Sequence, residues 1–153
     1  GRGDFGSLGH GGQQNQLLPK KIEALAGQRV VAVSAGVTYS LALTADGAVW
    51  SWGHGSQGRL GHGDTQNQLL PKKIEALAGQ RVVAVSAGDD HSFALTADGA
   101  VWSWGWGRFG KLGHGDEQNQ LLPKKIEAFA DRRVVAGTGG DLGGLGLIAE
   151  GNI

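Results

Sequence analysis

The chain repeats itself. Laid over itself with a shift of 52 residues, Gly1-Arg2-Gly3 recurs as Gly53-His54-Gly55 and again as Gly105-Trp106-Gly107. The stretch Asn15 to Gly36 returns unchanged as Asn67 to Gly88, and Ala42 to Gly53 returns unchanged as Ala94 to Gly105. A period of about 50 residues belongs to propellers and related arrays, where one unit cannot bury its own faces and relies on its neighbours. The division is 1–52, 53–104 and 105–153, within one partial propeller spanning 1–153, and the third copy degenerates after Ala136.

Strand signals fill each unit. Arg29 to Ala35 is a β-branched run ended by Gly36, and Ser40 to Thr44 alternates large and small residues with period two. Asp46-Gly47 supplies a tight hairpin turn, and Ala48-Val49-Trp50-Ser51-Trp52 returns with both tryptophans on one face. Lys20 to Leu25 has helix-favouring residues but is short, follows Pro19 and stops at Gly27, so it reads as a short outer strand. Large residues set against Ala, Ser and Gly suit a sheet packed between two other sheets. The fold class is therefore all-β, a propeller of about three blades. A β-solenoid is the runner-up, but its coils are shorter and lack this hairpin turn.

Composition narrows the function. Glycine accounts for 29 of 153 residues, clustered rather than placed at every third position, against roughly 7% in an average protein. With no cysteine there is neither a disulfide framework nor a thiolate metal site. Lys plus Arg equals Asp plus Glu at 14 each, so charge makes no case for nucleic acid or anionic lipid. The apolar runs are a few residues long, too short to span a bilayer. The chain opens without Met, as a fragment of a longer protein would, and the missing signal-like apolar stretch then means little; an intracellular location is the expectation.

The middle copy carries a specific signature. Gly53-His54-Gly55-Ser56-Gln57-Gly58-Arg59-Leu60-Gly61-His62-Gly63-Asp64 is followed by Val85-Ser86-Ala87-Gly88-Asp89-Asp90-His91-Ser92, and then by Asp98-Gly99 and Trp102-Ser103-Trp104-Gly105. This resembles the repeat of the regulator of chromosome condensation family, over roughly residues 1 to 136. The resemblance implies a seven-bladed propeller, of which this chain would be an open arc or fragment. It also implies protein partners, with guanine-nucleotide exchange on a small Ras-like GTPase as the founding activity. Propeller portions of larger HECT-type ubiquitin ligases look similar. So does the plant UV-B photoreceptor branch, but its Gly-Trp-Arg-His-Thr motif falls on Gly36-Val37-Thr38-Tyr39-Ser40 and Gly88-Asp89-Asp90-His91-Ser92, which lack the Trp and the Arg. Tyr39 and Gly12 depart from the family pattern, where His and Asp are expected.

Other motifs have simpler readings. Gly1-Arg2-Gly3-Asp4-Phe5-Gly6 matches a dinucleotide fingerprint, but Leu8-Gly9-His10-Gly11 cannot be the helix that motif requires. The integrin-type tripeptide Arg2-Gly3-Asp4 is not repeated in the other copies. His10, His62 and His114 stand one per unit, a blade apart, and cannot converge on one ion. Each is expected to hydrogen-bond its own loop, as is His91. Glu23, Glu75 and Glu127 are expected to pair with nearby lysines on a solvated rim. No catalytic constellation, cofactor site or metal site is read.

The first two copies differ only at 2–7, 12–13 and 37–41 and the positions 52 later, nearly all outside the strand cores. Loops at such positions carry function while strands hold the scaffold. The candidate protein-binding residues are therefore His54, Gln57, Arg59, Asp89, Asp90, Trp106, Arg108, Phe109 and Lys111. The reading is a non-catalytic protein-interaction scaffold of unidentified partner. Nucleotide exchange on a small GTPase, or service as the propeller of a larger ubiquitin ligase, are its rivals. Self-association through open blade edges is expected.

Overall fold

The computed structural model describes residues 1–129 and the strands 133–139 and 144–149. Two four-stranded antiparallel sheets form in chain order. The first holds β1 (Val30–Ala35), β2 (Tyr39–Thr44), β3 (Val49–Gly53) and β4 (Gln68–Lys73). The second holds β5 (Val82–Ala87), β6 (His91–Thr96), β7 (Val101–Gly105) and β8 (Gln120–Lys125). A third sheet pairs β9 (Arg133–Gly139) with β10 (Gly144–Ala149). The propeller-like, all-β expectation holds.

The hairpin turns form as their sequence predicts. Gly47 sits at φ 86°, a left-handed value that glycine adopts without a Cβ penalty. The Asp46 carboxylate accepts hydrogen bonds from Thr44 Oγ1 (2.5 Å) and from the backbone N–H of Ala48 (3.3 Å). The bond from Thr44, above all, holds the Asp46 carboxyl below its ordinary range. Asp98 repeats the arrangement with Thr96 and Ala100.

The outer strand is not where the sequence suggested. Lys20 to Leu25 is no strand: Glu23–Leu25 is a 3-10 turn. In the second copy the strand comes earlier, at Gln68–Lys73, and pairs with the preceding unit, Ser51 opposite Lys72 and Trp50 opposite Lys73. The physical reason is the edge. Pro71 has no N–H to give, and an edge strand needs only one side of its backbone bonded. Each blade therefore crosses the repeat boundary, running from Val30 to Lys73 and from Val82 to Lys125. The glutamates are corrected with it. Among the described residues Glu23, Glu75 and Glu127 form no ion pair, because each lies in a 3-10 turn after the lysines rather than along their strand.

The blades pack face to face. Tyr39, Leu41, Leu43 and Val49 of the first meet Val82, Ala94 and Trp104 of the second, with Val85, Ala87 and Trp102 partly buried against them. Leu95, Val101 and Ile126 form the next layer on the far side of the second blade. Large side chains on one face fit the small ones opposite, which is how sheets interdigitate to interior density.

Strand pairing continues past Ala136, where the third copy departs from the repeat sequence. Gly146 lies opposite Gly137 and Gly144 opposite Gly139. Glycine loses packing but keeps its backbone N–H and C=O, and those groups make the ladder. Glu150-Gly151, which echoes the Asp-Gly turn of the other copies in sequence, lies outside the described residues.

Candidate protein-interaction site

The candidate residues sit on the loops that leave β3 and β7 and the turns that enter β2 and β6. Each long loop begins with a 3-10 turn, Asp4–Gly6, Ser56–Gly58 and Arg108–Gly110. An asparagine pins each loop: Asn15, Asn67 and Asn119 Oδ1 accept the N–H of Gly3, Gly55 and Gly107 at 3.0 Å. The backbone crowds there. A Cβ on Gly55 would stand 2.0 Å from the carbonyl oxygen of Gln66. The loop apex is left-handed in all three copies, at Phe5 (φ 59°), Gln57 (φ 56°) and Phe109 (φ 64°), a region that non-glycine residues enter at a cost.

Arg59 and Lys111 turn inward. Arg59 is buried and fully engaged, its Nε donating to Ser56 O (2.9 Å) and its Nη1 to Thr38 Oγ1 (3.1 Å) and Asp89 O (3.3 Å). Its Nη2 donates to Gln57 Oε1 at 2.6 Å, and the guanidinium lies over the Tyr39 ring. Lys111 takes the same position one unit on. Its side chain is 1% exposed, bonded to Asp90 Oδ1 at 2.5 Å and set 4.7 Å from the centre of the Trp106 ring. These two residues act on the surface through the loops they hold. His54 goes elsewhere: it stacks on Phe5 at 4.0 Å and reaches Thr38 Oγ1. Burial, and then the Arg59 charge, lower its pKa below the ordinary imidazole value.

Trp106, Arg108 and Phe109 come together on the surface. The Arg108 guanidinium lies 5.4 Å from the Trp106 ring centre and 4.6 Å from that of Phe109. Phe109 is 56% exposed. Its N–H donates to Glu117 Oε1 at 3.0 Å, which fixes the apex.

Sequence reasoning missed the residues that lock the blades beneath this surface. Tyr39 OH donates to His91 O at 2.5 Å and lies 2.9 Å from Ser92 Oγ, and burial raises its pKa. Ser92 Oγ and Trp104 Nε1 both donate to Arg59 O at 3.0 Å. The available signal was the departure of Tyr39 from the His of its sister copy. His62 Nε2 meets Ser51 Oγ at 2.8 Å and His114 Nε2 meets Ser103 Oγ at 2.9 Å, tying each loop to the neighbouring strand. His91 is fully buried beside Asp90. Among the described residues no three His, Asp or Glu side chains converge as metal ligands, and no helix is long and apolar enough to cross a membrane.

The model of the regulator of chromosome condensation (RCC1) repeat matches residues 1–43, 46–95 and 98–147, which is most of the chain. The chain belongs to the RCC1 repeat family. Its blades are those of an RCC1-type propeller, about three of them. The ultraviolet-B receptor UVR8 of Arabidopsis thaliana is 45% identical over 88% of this chain and 30% of the receptor. The human E3 ubiquitin-protein ligase HERC2 is 42% identical over 93% of this chain and 3% of the ligase. This RCC1-repeat chain thus spans less than a third of either relative.

Solved structures agree on the fold. Human WBSCR16 superposes with a TM-score of 0.84 at 27% identity, over 97% of this chain and 39% of that one. Prp20p of Saccharomyces cerevisiae, which binds Gsp1p and histones, gives a TM-score of 0.77 at 23% identity, over 99% of this chain and 39% of its own.

Proposed function

We propose that this chain is a non-catalytic protein-interaction module whose partner contacts the variable turns at one end of the blades. The observation that carries the reading is the Trp106, Arg108 and Phe109 cluster. It combines an exposed aromatic apex with a stacked guanidinium, and aromatic and arginine side chains dominate interface hot spots. Gln57 and Asp89 flank it, held through Arg59, while Asp90 and Lys111 support Trp106 from below. His54 extends the surface towards the first loop. The similarity to a small stretch of HERC2 supports a binding part rather than a catalytic one.

A photo-crosslinking amino acid at position 109 tests the reading. The expected adduct is a discrete protein, lost when Trp106 is replaced by Ala in the same chain. Adducts formed only from probes at Lys72 or Lys124 would move the site to the lysine rim. Accelerated nucleotide release from a small Ras-like GTPase would make exchange the function instead.

A further inference from the structure

We infer that the Trp106–Arg108–Phe109 cluster recognises an acidic segment of a protein chain that also carries an aromatic residue. This rests on the interaction reading above and names the partner's chemistry.

The three copies of the loop serve as internal controls. Phe5, Gln57 and Phe109 share one left-handed apex. In the first copy the ring stacks on His54 of the next loop. In the second the Gln57 amide accepts from Arg59. Both side chains are used inside the fold. Phe109 instead stands 56% exposed and stacks only with its neighbour Arg108 among the described residues. A large apolar side chain held in a left-handed conformation, facing water, gains nothing there from packing.

The charges around it single out Arg108. The other two cations of the cluster region are spoken for: Lys111 is buried on Asp90, and Arg59 is buried among Thr38, Gln57 and Asp89. The two acids of the same loop are turned to its backbone. Glu117 Oε1 accepts the N–H of Phe109, and Asp116 Oδ1 accepts that of Gln118 at 3.0 Å. Arg108 is exposed and forms no ion pair among the described residues. Its guanidinium lies against two rings, so it has little rotamer freedom left to lose. A planar fork of that kind fits a carboxylate by two parallel hydrogen bonds. The free face of Phe109 beside it fits an aromatic ring. Together they select for both features at neighbouring positions of one partner segment.

The test uses the whole 153-residue chain, labelled with 15N, and three synthetic pentapeptides. One has a central Phe flanked by two acidic residues on each side, the second replaces the acids by lysines, and the third replaces the Phe by Ala. The expected result is shifts confined to residues 106–111 with the first peptide, and binding about tenfold weaker for either of the others. Arg108→Gln should abolish the shifts. Arg108→Lys, which keeps charge but not the planar fork, should recover only part of them. Equal binding of the acidic and basic peptides, or no shift at millimolar peptide, overturns the proposal. A partner crosslinked through position 109 that is lost on Trp106→Ala but unaffected by Arg108→Gln overturns this inference alone and leaves the interaction surface standing. A partner indifferent to both changes sinks the surface itself.

Discussion

The Ser51 hydroxyl has one proton and gives it to Leu60 O at 2.7 Å. His62 must therefore donate from Nε2 to Ser51, which fixes its tautomer with Nδ1 bare. Burial first, and then the Lys72 charge, lower the pKa of His62 to about 4, and burial lowers that of His114 in the same way. Both groups have folded pKa values below the unfolded value of about 6.5. The unfolded chain then binds more protons, so their contribution to stability is whole above pH 6.5 and is lost as pH falls below it, for His62 through about 4. The depressed carboxyls Asp46 and Asp98 act only below that window. Urea midpoints measured at pH 7, 5.5 and 4.5 should fall steadily, and His62→Gln with His114→Gln should flatten the slope. An unchanged slope in that double variant would mean that neither imidazole is buried as described. Tyr39 makes a second prediction at this scale. Tyr39→Phe removes a buried side-chain donor to His91 O and should cost about 1–2 kcal/mol in chemical denaturation.

At the level of elements, the long loops depend on how closely two backbones approach. Gly3, Gly55 and Gly107 have negative φ, yet a Cβ at each would lie 2.1, 2.0 and 1.9 Å from the carbonyl oxygens of Gln14, Gln66 and Gln118. Gly12, by contrast, has nothing within 4 Å. Gly55→Ala should therefore lose more than about 2 kcal/mol, since backbone cannot yield as a side chain can, while Gly12→Ala should be neutral within about 0.5 kcal/mol. Equal stabilities of the two variants would refute the close approach. The same loops show where sequence reading reached and where it stopped. β1 to β3 and the Asp46-Gly47 turn were legible because period-two alternation and turn chemistry are local signals. The outer strand was misplaced because its partner lies in the previous unit, and Gln68 to Lys73 is recognised as a strand only by pairing with β3. Burial of Arg59 and Lys111 was invisible for a similar reason: a charged residue in a turn reads as solvated until the Asp89, Asp90 and Tyr39 opposite it are placed. The closeness of Trp106, Arg108 and Phe109 was legible because they share one short loop whose residues vary from copy to copy.

Across the whole molecule, identical sequences sit in different surroundings. Val31 and Val33 of β1 repeat as Val83 and Val85 of β5, but Val33 is 73% exposed while Val85 packs against the first blade. Gln16 to Lys21 repeats as Gln68 to Lys73, which is paired to β3, whereas Leu17 is 97% exposed. The first blade thus shows an apolar face that its sister covers, beside a strand-forming segment whose backbone edge is open. Ladders and faces of this kind attract further strands and sheets, and closure of a ring is what removes them in a propeller. The 153-residue chain studied alone should consequently self-associate at micromolar concentration. Replacing Leu17 and Val33 together by Lys should shift it towards monomer in sedimentation velocity without lowering its thermal midpoint, because neither side chain contributes to a packed layer. Amide exchange should be slow in β6, where all but one residue is buried, and faster in β1, which is exposed along most of its length. A monodisperse monomer in the unsubstituted chain, with β1 protected as well as β6, would show that the exposed valines and the open edge are covered in a way this arrangement of blades does not provide.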